Sequence, residues 1–118
     1  MSKRRGDLAD CDQIGNPMKT EKNLRAADLL ARRFYQAGCR YAFGMPGGEV
    51  LTVVDALEKA GVQFILCKHE NSAGFMAEGA YHMTGALGIL VATVGPGAVN
   101  GVNVVANAYQ DRVPLIVL

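Results

Sequence analysis

The residue best suited to chemistry in this 118-residue sequence is Glu70. It comes shortly after a strand-like apolar segment, 62–67, and opens a segment whose small residues recur at helical spacing, so its carboxyl group should lie partly out of water at the start of a helix. Burial disfavours the charged form, whereas the amino end of a helix favours it, and the sequence leaves open which effect is larger. Glu70 is therefore a candidate acid or base. The alternative is an acidic residue that only caps a helix.

Two glycine-rich turns are the next candidates for contact with a ligand. Residues 44–48 read Gly-Met-Pro-Gly-Gly, and residues 95–101 read Gly-Pro-Gly-Ala-Val-Asn-Gly. The second turn is one residue too long for the GxGxxG pattern of dinucleotide-binding loops, and no GxxxxGK[ST] phosphate loop occurs in the sequence. Any single glycine of this kind can be explained by a positive φ or a close backbone approach. Together with Glu70, however, the turns predict a ligand site.

The histidines and cysteines do not predict a metal site, and we assign no metal ligand. His69 and His82 have no acidic or cysteine partner at the spacing of metal ligands on a helix, so His69 is expected to position its neighbour or to satisfy a backbone group. The cysteines, at positions 11, 39 and 67, are odd in number and lack close CxxC spacing. This usage fits a reducing compartment better than a disulfide framework.

Charge and composition argue against several classes of protein. Twelve Lys and Arg stand against eleven Asp and Glu, and no dense basic face emerges to neutralise the phosphates of a nucleic acid. The longest apolar run, 86–94, is too short to cross a bilayer. The first twenty residues mix acidic and basic groups without the apolar segment of a secretory signal. We therefore expect one cytoplasmic domain over residues 21–118, preceded by a flexible tail over 1–20, that binds neither nucleic acid nor membrane.

Helices and strands alternate in the hydrophobic pattern from residue 20 onward. Strands are predicted at 41–43, 62–67, 87–94 and 113–118, and helices at 27–37, 50–60, 73–80 and 98–110. Continuous apolar strands separated by helices are typical of a parallel sheet covered on both faces, which predicts an α/β, doubly wound fold. The turns at 44–48, 68–71 and 95–97 then follow the carboxyl ends of strands, where ligands bind in such sheets. The sequence stops inside the fourth strand, so we expect the domain to be incomplete at its C-terminal end.

Several blocks of residues resemble a known family. They are Phe43-Gly44-Met45-Pro46-Gly47-Gly48, Lys68-His69-Glu70, Phe75-Met76-Ala77-Glu78-Gly79, Gly95-Pro96-Gly97-Ala98, Asn100 and Ala108-Tyr109-Gln110-Asp111-Arg112-Val113-Pro114-Leu115. Their order and spacing resemble the amino-terminal, pyrimidine-binding domain of thiamine diphosphate enzymes, closest to the acetolactate synthase branch. The resemblance covers residues 20–118 and implies the flavodoxin-like form of the doubly wound sheet.

The resemblance implies a role for Glu70 and a set of neighbours. In the family, the glutamate of the His-Glu pair hydrogen-bonds a nitrogen of the cofactor's aminopyrimidine ring and relays the proton that is removed from the thiazolium carbon. Glu70 would take that part, because a carboxyl group can hydrogen-bond and also transfer a proton, which glutamine cannot. By the same resemblance, the pyrimidine pocket and its contact with the partner domain would be lined by Pro46, Gly47, Thr93, Pro96 and Asn100.

The activity implied is decarboxylation of a 2-oxo acid such as pyruvate, followed by carbon–carbon bond formation. Mg²⁺ and the diphosphate, and FAD where it is used, are held in the family by domains that this sequence lacks, so the fragment alone should bind cofactor weakly and be inactive. The active site lies between two subunits, which implies a homodimer or homotetramer. Val94, Asn71 and Phe75 depart from the usual family residues or vary between branches, which bears on the substrate rather than on the cofactor.

Two other interpretations stay open from the sequence. The chain could be a separate pyrimidine-domain subunit of a two-chain thiamine diphosphate decarboxylase. It could also be a non-catalytic α/β module whose glycine turns bind a nucleotide or an effector. Sequence downstream of Leu118 distinguishes the first alternative from a fragment, and calorimetry with thiamine diphosphate distinguishes the second.

Overall fold

The computed structural model describes residues 24–118. The helices are α1 (Ala26–Gln36), α2 (Leu51–Ala60), α3 (Glu70–Thr84), α4 (Pro96–Asn100) and α5 (Val102–Asp111), and the strands are β1 (Tyr41–Gly44), β2 (Gln63–Leu66), β3 (Gly88–Val91) and β4 (Leu115–Val117). The tail expected over residues 1–20 lies outside the described residues. Helices and strands alternate along the chain as the hydrophobic pattern predicts.

The four strands form one parallel sheet in the order β2-β1-β3-β4. β1 is paired on both sides, with Phe43 opposite Ile65 of β2 and opposite Leu90 of β3. The chain moves outward from β1 to β2 and then returns across β1 to β3. This reversal creates a switch point between β1 and β3, which is where ligands bind in doubly wound sheets of the order 2-1-3-4-5.

Alternate strand residues face two separate hydrophobic clusters. On one face, Ala42 and Ile89 pack with helices α1 and α2, whose largest buried contribution is Leu57. On the other face, Phe43 and Leu90 pack with α3 and α5. Because consecutive strand residues point to opposite faces, helices cover the sheet on both sides. The predicted α/β, doubly wound class is confirmed.

The sequence-based prediction is wrong in one detail of the last helical segment. A single helix was predicted at 98–110, but the structure has α4 and α5, which meet at Gly101. Gly101 is buried against β3, and a Cβ placed there would come within 3.2 Å of Leu90 Cδ2. Its N–H bonds to Ala98 O, three residues back, rather than four. The tightened turn lets the chain pass close over the sheet and start a new helix.

The described helices are short. The longest, α3, has 15 residues. Between residues 24 and 118, none of the helices combines the length and the apolar character that crossing a lipid bilayer requires.

Candidate active site

The loops after β1 and β3 lie on the two sides of the switch point and contact each other. Gly47, in the first loop, packs against Thr93, in the second, so closely that a Cβ at position 47 would overlap Thr93 Cγ2. Both residues are half-buried. The strands beneath also approach closely, since a Cβ at Gly44 would overlap the backbone carbonyl of Val91. Glycine at these two positions lets the carboxyl ends of β1 and β3 form one compact edge.

Glu70 lies at this edge as the first residue of α3 and is 2% exposed. His69 caps the helix, because its Nδ1 accepts a hydrogen bond of 3.2 Å from the backbone N–H of Asn71. This confirms the expectation that His69 serves a backbone group. The small residues that follow, Ala73, Gly74 and Ala77, are buried and bring α3 down onto the sheet. Close packing of α3 is what withdraws the Glu70 carboxyl group from water.

The two carboxyl oxygens of Glu70 have different surroundings. Oε2 accepts a hydrogen bond of 3.1 Å from Nδ2 of Asn100, the last residue of α4. Oε1 points toward Gly97, where an added Cβ would lie 3.0 Å from it and would overlap Thr93 Oγ1. Within residues 24–118, no hydrogen-bond donor is recorded for Oε1. Oε1 is thus the carboxyl oxygen that a ligand can engage.

The glycines of the turn at residues 95–97 have two different functions. Gly95 precedes α4 with φ 67° and ψ −122°, a conformation that disfavours a side chain. Gly97 is buried. Because it has no Cβ, its backbone can lie close to both Thr93 and Glu70. The sequence analysis left Gly97 out of the site residues. The repeated glycine of Gly-Pro-Gly was the signal available for it.

Cys67 connects β2 to α3 near Glu70 and is buried. Its Sγ lies 3.5 Å from Met76 Sδ and 3.6 Å from Ile65 O, and burial raises the pKa of its thiol. The thiol therefore stays neutral and packs as a small apolar group. Of the other titratable residues at this strand end, Lys68 and His69 are exposed and Glu70 is buried.

A second buried carboxyl group, which was not predicted from the sequence, lies about two helical turns further along α3. Glu78 is 5% exposed, and its oxygens lie 3.1 and 3.5 Å from Nδ2 of Asn107 on α5. The same amide nitrogen lies 3.2 Å from Asp111 Oδ2. Between these pairs, Asn103 Nδ2 lies 3.4 Å from Asn71 Oδ1. Three asparagines thus connect the helices α4 and α5 to α3. We call Asn100, Asn103 and Asn107 the asparagine ladder.

The structure brings together most of the residues predicted for the site. Glu70 contacts Asn100, and Gly97 fills the space between Glu70 and Thr93, which in turn contacts Gly47. Pro46 precedes Gly47 in the loop and is half-buried, and Pro96 is the exposed first residue of α4.

Two of the residues that depart from the family pattern point toward solvent. Val94 is 70% exposed and Phe75 is 41% exposed, whereas Asn71 takes part in the asparagine ladder's middle contact. Val94 follows Thr93 directly in the chain, and Phe75 lies on α3 five residues after Glu70.

The buried edge suits an aminopyrimidine ring. One unpaired carboxyl oxygen can exchange a hydrogen bond with a ring nitrogen, and the glycines at 47 and 97 leave no Cβ atom against Thr93 or against this oxygen. No group of three or more His, Cys, Asp and Glu suited to a metal ion occurs among residues 24–118. The described residues thus fit the ring of a thiamine cofactor.

Comparison with known families gives a match over the whole described part of the chain. Residues 24–118 match the family described as thiamine pyrophosphate enzyme, N-terminal TPP binding domain. Thiamine pyrophosphate is another name for thiamine diphosphate. The match starts within the domain that the sequence analysis predicted over residues 21–118.

Similar proteins include synthases and a decarboxylase. The acetolactate synthase large subunit of Buchnera aphidicola is 41% identical over 96 residues, which are 80% of this chain and 17% of that protein. Acetolactate synthase isozyme 3 large subunit of Escherichia coli gives the same identity and coverage. A probable 2-ketoarginine decarboxylase of Pseudomonas aeruginosa is 36% identical over 102 residues, 86% of this chain and 18% of that protein. The chain thus spans less than a fifth of the length of these relatives.

Proposed function

The chain belongs to the thiamine pyrophosphate enzymes through their N-terminal TPP binding domain, and we propose that it supplies the pyrimidine-binding half of an acetolactate synthase-like active site. The proposed reaction is decarboxylation of a 2-oxo acid, most simply pyruvate, with carbon–carbon bond formation to a second carbonyl compound. One observation carries the proposal: the carboxyl group of Glu70 is buried at the switch point of the sheet, and its oxygen Oε1 faces Gly97 and accepts no hydrogen bond from residues 24–118.

Of the five other residues that the resemblance assigns to the pocket, four are proposed to surround the cofactor's ring. Gly47 and Thr93 form the contact between the two loops, and Pro46 and Pro96 flank it in sequence. Asn100, which the resemblance places among the lining residues, holds Glu70. A flat ring fits against such a surface because glycine and proline offer backbone and apolar edges without long side chains.

Glu70 is proposed to hold and move one proton. With the proton on Oε1, the carboxyl group donates to the ring nitrogen, and when the proton leaves, the same oxygen accepts. Burial excludes water from the exchange and strengthens the hydrogen bond. When bound, the cofactor supplies a heterocycle that accepts the electron pair left by loss of CO₂. This chain contributes orientation and proton transfer.

The rest of the enzyme is proposed to lie on other domains and on a second subunit. The family resemblance assigns Mg²⁺, the diphosphate and, where it is used, FAD to domains beyond residues 24–118. A homodimer or homotetramer is supported by exposed apolar side chains on the site's own helices, among them Met76 and Met83 on α3 and Tyr109 on α5. Action in the cytoplasm stays a prediction of the sequence.

The test is proton exchange at the thiazolium carbon of thiamine diphosphate, measured in the complete protein that carries this domain. Glu70→Gln keeps the size and one hydrogen bond but cannot relay a proton, so we expect exchange to fall at least about 100-fold. Cofactor affinity, measured by calorimetry, should change much less. Exchange at the wild-type rate in Glu70→Gln would contradict the relay.

Glu78→Gln is the matched control for this test. Glu78 is also a buried glutamate of α3 that accepts a hydrogen bond from an asparagine amide, but it lies about two helical turns after Glu70. If burial of a glutamate alone were responsible, both variants would lose exchange equally. We expect Glu78→Gln to keep exchange within about threefold, because it does not touch the cofactor. Absence of thiamine diphosphate binding to the wild-type protein would favour a non-catalytic module instead.

A further inference from the structure

The hydrogen bond between Asn100 and Glu70 is the feature that the proposed relay does not yet explain. It joins Nδ2 of Asn100 to Oε2 of Glu70 at 3.1 Å, and it is the hydrogen bond that the described residues make to this carboxyl group. Asn100 lies on the surface, whereas Glu70 is 2% exposed. An exposed amide therefore reaches inward to hold one oxygen of a buried acid.

We propose that Asn100 is a positioning residue, which holds Glu70 Oε2 so that Oε1 is the oxygen that carries and releases the proton. The inference rests on the proposed function, and it reassigns Asn100 from the lining of the cofactor pocket to the support of Glu70. An amide N–H donates only, so Oε2 is occupied as an acceptor. A proton that reaches the carboxyl group then binds at Oε1, on the side of Gly97.

The chemistry of the partner matters for this role. A lysine or arginine at position 100 would also donate to Oε2, but its positive charge would hold the carboxylate ionised. A neutral amide fixes the geometry and stabilises the charged form less strongly. Asparagine thus orients the acid while leaving it able to exchange its proton.

The fold fixes the position of Asn100 through the break between α4 and α5. Gly101 follows Asn100 directly, and it lies so close to β3 that a Cβ there would be 3.2 Å from Leu90 Cδ2. The end of α4 is therefore held at a set height above the sheet. Asn100, as the last residue of α4, is held beside the first residue of α3.

Two substitutions at position 100 separate positioning from packing. Asn100→Ala removes the donor, and we expect thiazolium proton exchange to fall about tenfold, as for loss of one hydrogen bond to a charged group. Asn100→Asp keeps the size and shape but sets a carboxylate against Oε2, and we expect a larger loss, about 100-fold in total. A packing role predicts the opposite order, because aspartate fills the space of asparagine better than alanine does.

Cofactor affinity is a second, independent test of the role of Asn100. If Asn100 acts through Glu70, the dissociation constant of thiamine diphosphate, measured by calorimetry on the complete protein, should stay within about threefold in Asn100→Ala. If Asn100 instead lines the pocket, affinity should fall at least as much as exchange. The second result would overturn the inference, as would exchange that is better preserved in Asn100→Asp than in Asn100→Ala.

Asn103→Asp is the matched control, since it makes the same substitution one helical turn further on. Its partner Asn71 can turn its own amide and donate to the new carboxylate, so we expect exchange and affinity close to wild type. The same measurements on Glu70→Gln keep the two proposals distinguishable. If exchange is lost in Glu70→Gln but is unchanged in Asn100→Ala and Asn100→Asp, the positioning role alone is contradicted. If exchange is retained in Glu70→Gln, the proposed function is contradicted.

Discussion

The two faces of the sheet hold their acidic side chains in different ways. On the face covered by α1 and α2, Arg25 contacts both Asp28 and Asp55, at 2.7 and 2.8 Å, and Lys59 lies 2.8 Å from Asp55. These acids and bases lie at the surface of the two helices. The hydrogen bonds from Arg25 hold the pKa of Asp28 at about 2. The acids of this face therefore stay ionised at neutral pH.

On the face covered by α3 and α5, the acids are buried and their partners are amides. Glu70 and Glu78 are 2% and 5% exposed, and they receive hydrogen bonds from Asn100 and Asn107. Among the described residues, no salt bridge is recorded for either glutamate. An amide satisfies a buried carboxyl group without fixing its charge as a cation would.

The difference bears on the proposed proton relay. A surface ion pair keeps a carboxylate charged, whereas an amide partner hydrogen-bonds a carboxyl group without placing a charge beside it. Glu78 shares the burial and the amide partner, but Gly97 and Asn100 lie against Glu70. Glu70 lies at the switch point between β1 and β3. Position in the topology thus distinguishes the two buried acids.

The largest loss of stability is expected when an amide of the α3–α5 face is replaced by an acid. Asn107→Asp would place a third carboxylate beside Glu78 and Asp111 and remove the donor of both. Because the buried carboxyl group of Glu78 would lose its hydrogen-bond donor and face a new carboxylate, we expect the free energy of unfolding to fall by about 3 kcal/mol. Urea denaturation of the purified protein measures this change.

The control replaces an acid by an amide on the face covered by α1 and α2. Asp55→Asn removes one acid from exposed ion pairs with Arg25 and Lys59, and such pairs contribute little in water. We expect its urea midpoint to lie close to that of the wild type. Equal losses in the two variants would show that the faces do not differ in the way described above.

A smaller loss of stability is expected when the close packing of α3 against α5 is disturbed. Gly74 of α3 lies against Val104 of α5, and a Cβ there would overlap Val104 Cγ1 and lie 2.8 Å from Cγ2. Gly74→Ala should therefore force the two helices apart and cost about 2 kcal/mol of unfolding free energy. Thermal unfolding, followed by circular dichroism, measures it.

Gly79 on the same helix provides the opposite case. No atom lies within 4 Å of a Cβ built there, so Gly79→Ala should stabilise the helix by up to about 1 kcal/mol. If both variants shifted the melting temperature in the same direction, Gly74 would not be needed for the close approach of α3 and α5.

Much of this arrangement could be predicted from the sequence. The alternation of helical and strand patterns indicated the α/β class, and the position of Glu70 between an apolar segment and a helix of small residues indicated that its carboxyl group is partly withdrawn from water. Gly47 and Thr93 were expected at the site through the family resemblance, and the structure places them in contact. Local patterns suffice here because each of these residues is tied to the end of a strand.

The asparagine ladder could not be predicted in the same way. Asn107 and Glu78 are 29 residues apart, and their contact depends on how α5 crosses α3. The break at Gly101 was missed because its φ of −85° and ψ of −10° are close to helical, so the local pattern continues through it. What ends α4 is the contact of Gly101 with Leu90 of β3, a residue eleven positions earlier in the chain.

The smallest expected effect concerns the ion pairs of the α1–α2 face at low pH. Arg25 lowers the pKa of Asp28 from 3.8 to about 2, so the contribution of this pair to stability is complete above pH 4 and is lost as the pH falls through 2. Arg25→Gln lacks the pair at every pH. The difference in urea midpoint between wild type and Arg25→Gln should therefore narrow between pH 4.5 and pH 2, and it should also shrink in 0.5 M NaCl at neutral pH, because salt screens exposed charges over roughly 10 Å or less. A difference that stays constant over this range would mean that Arg25 acts through packing of its side chain and not through its charge.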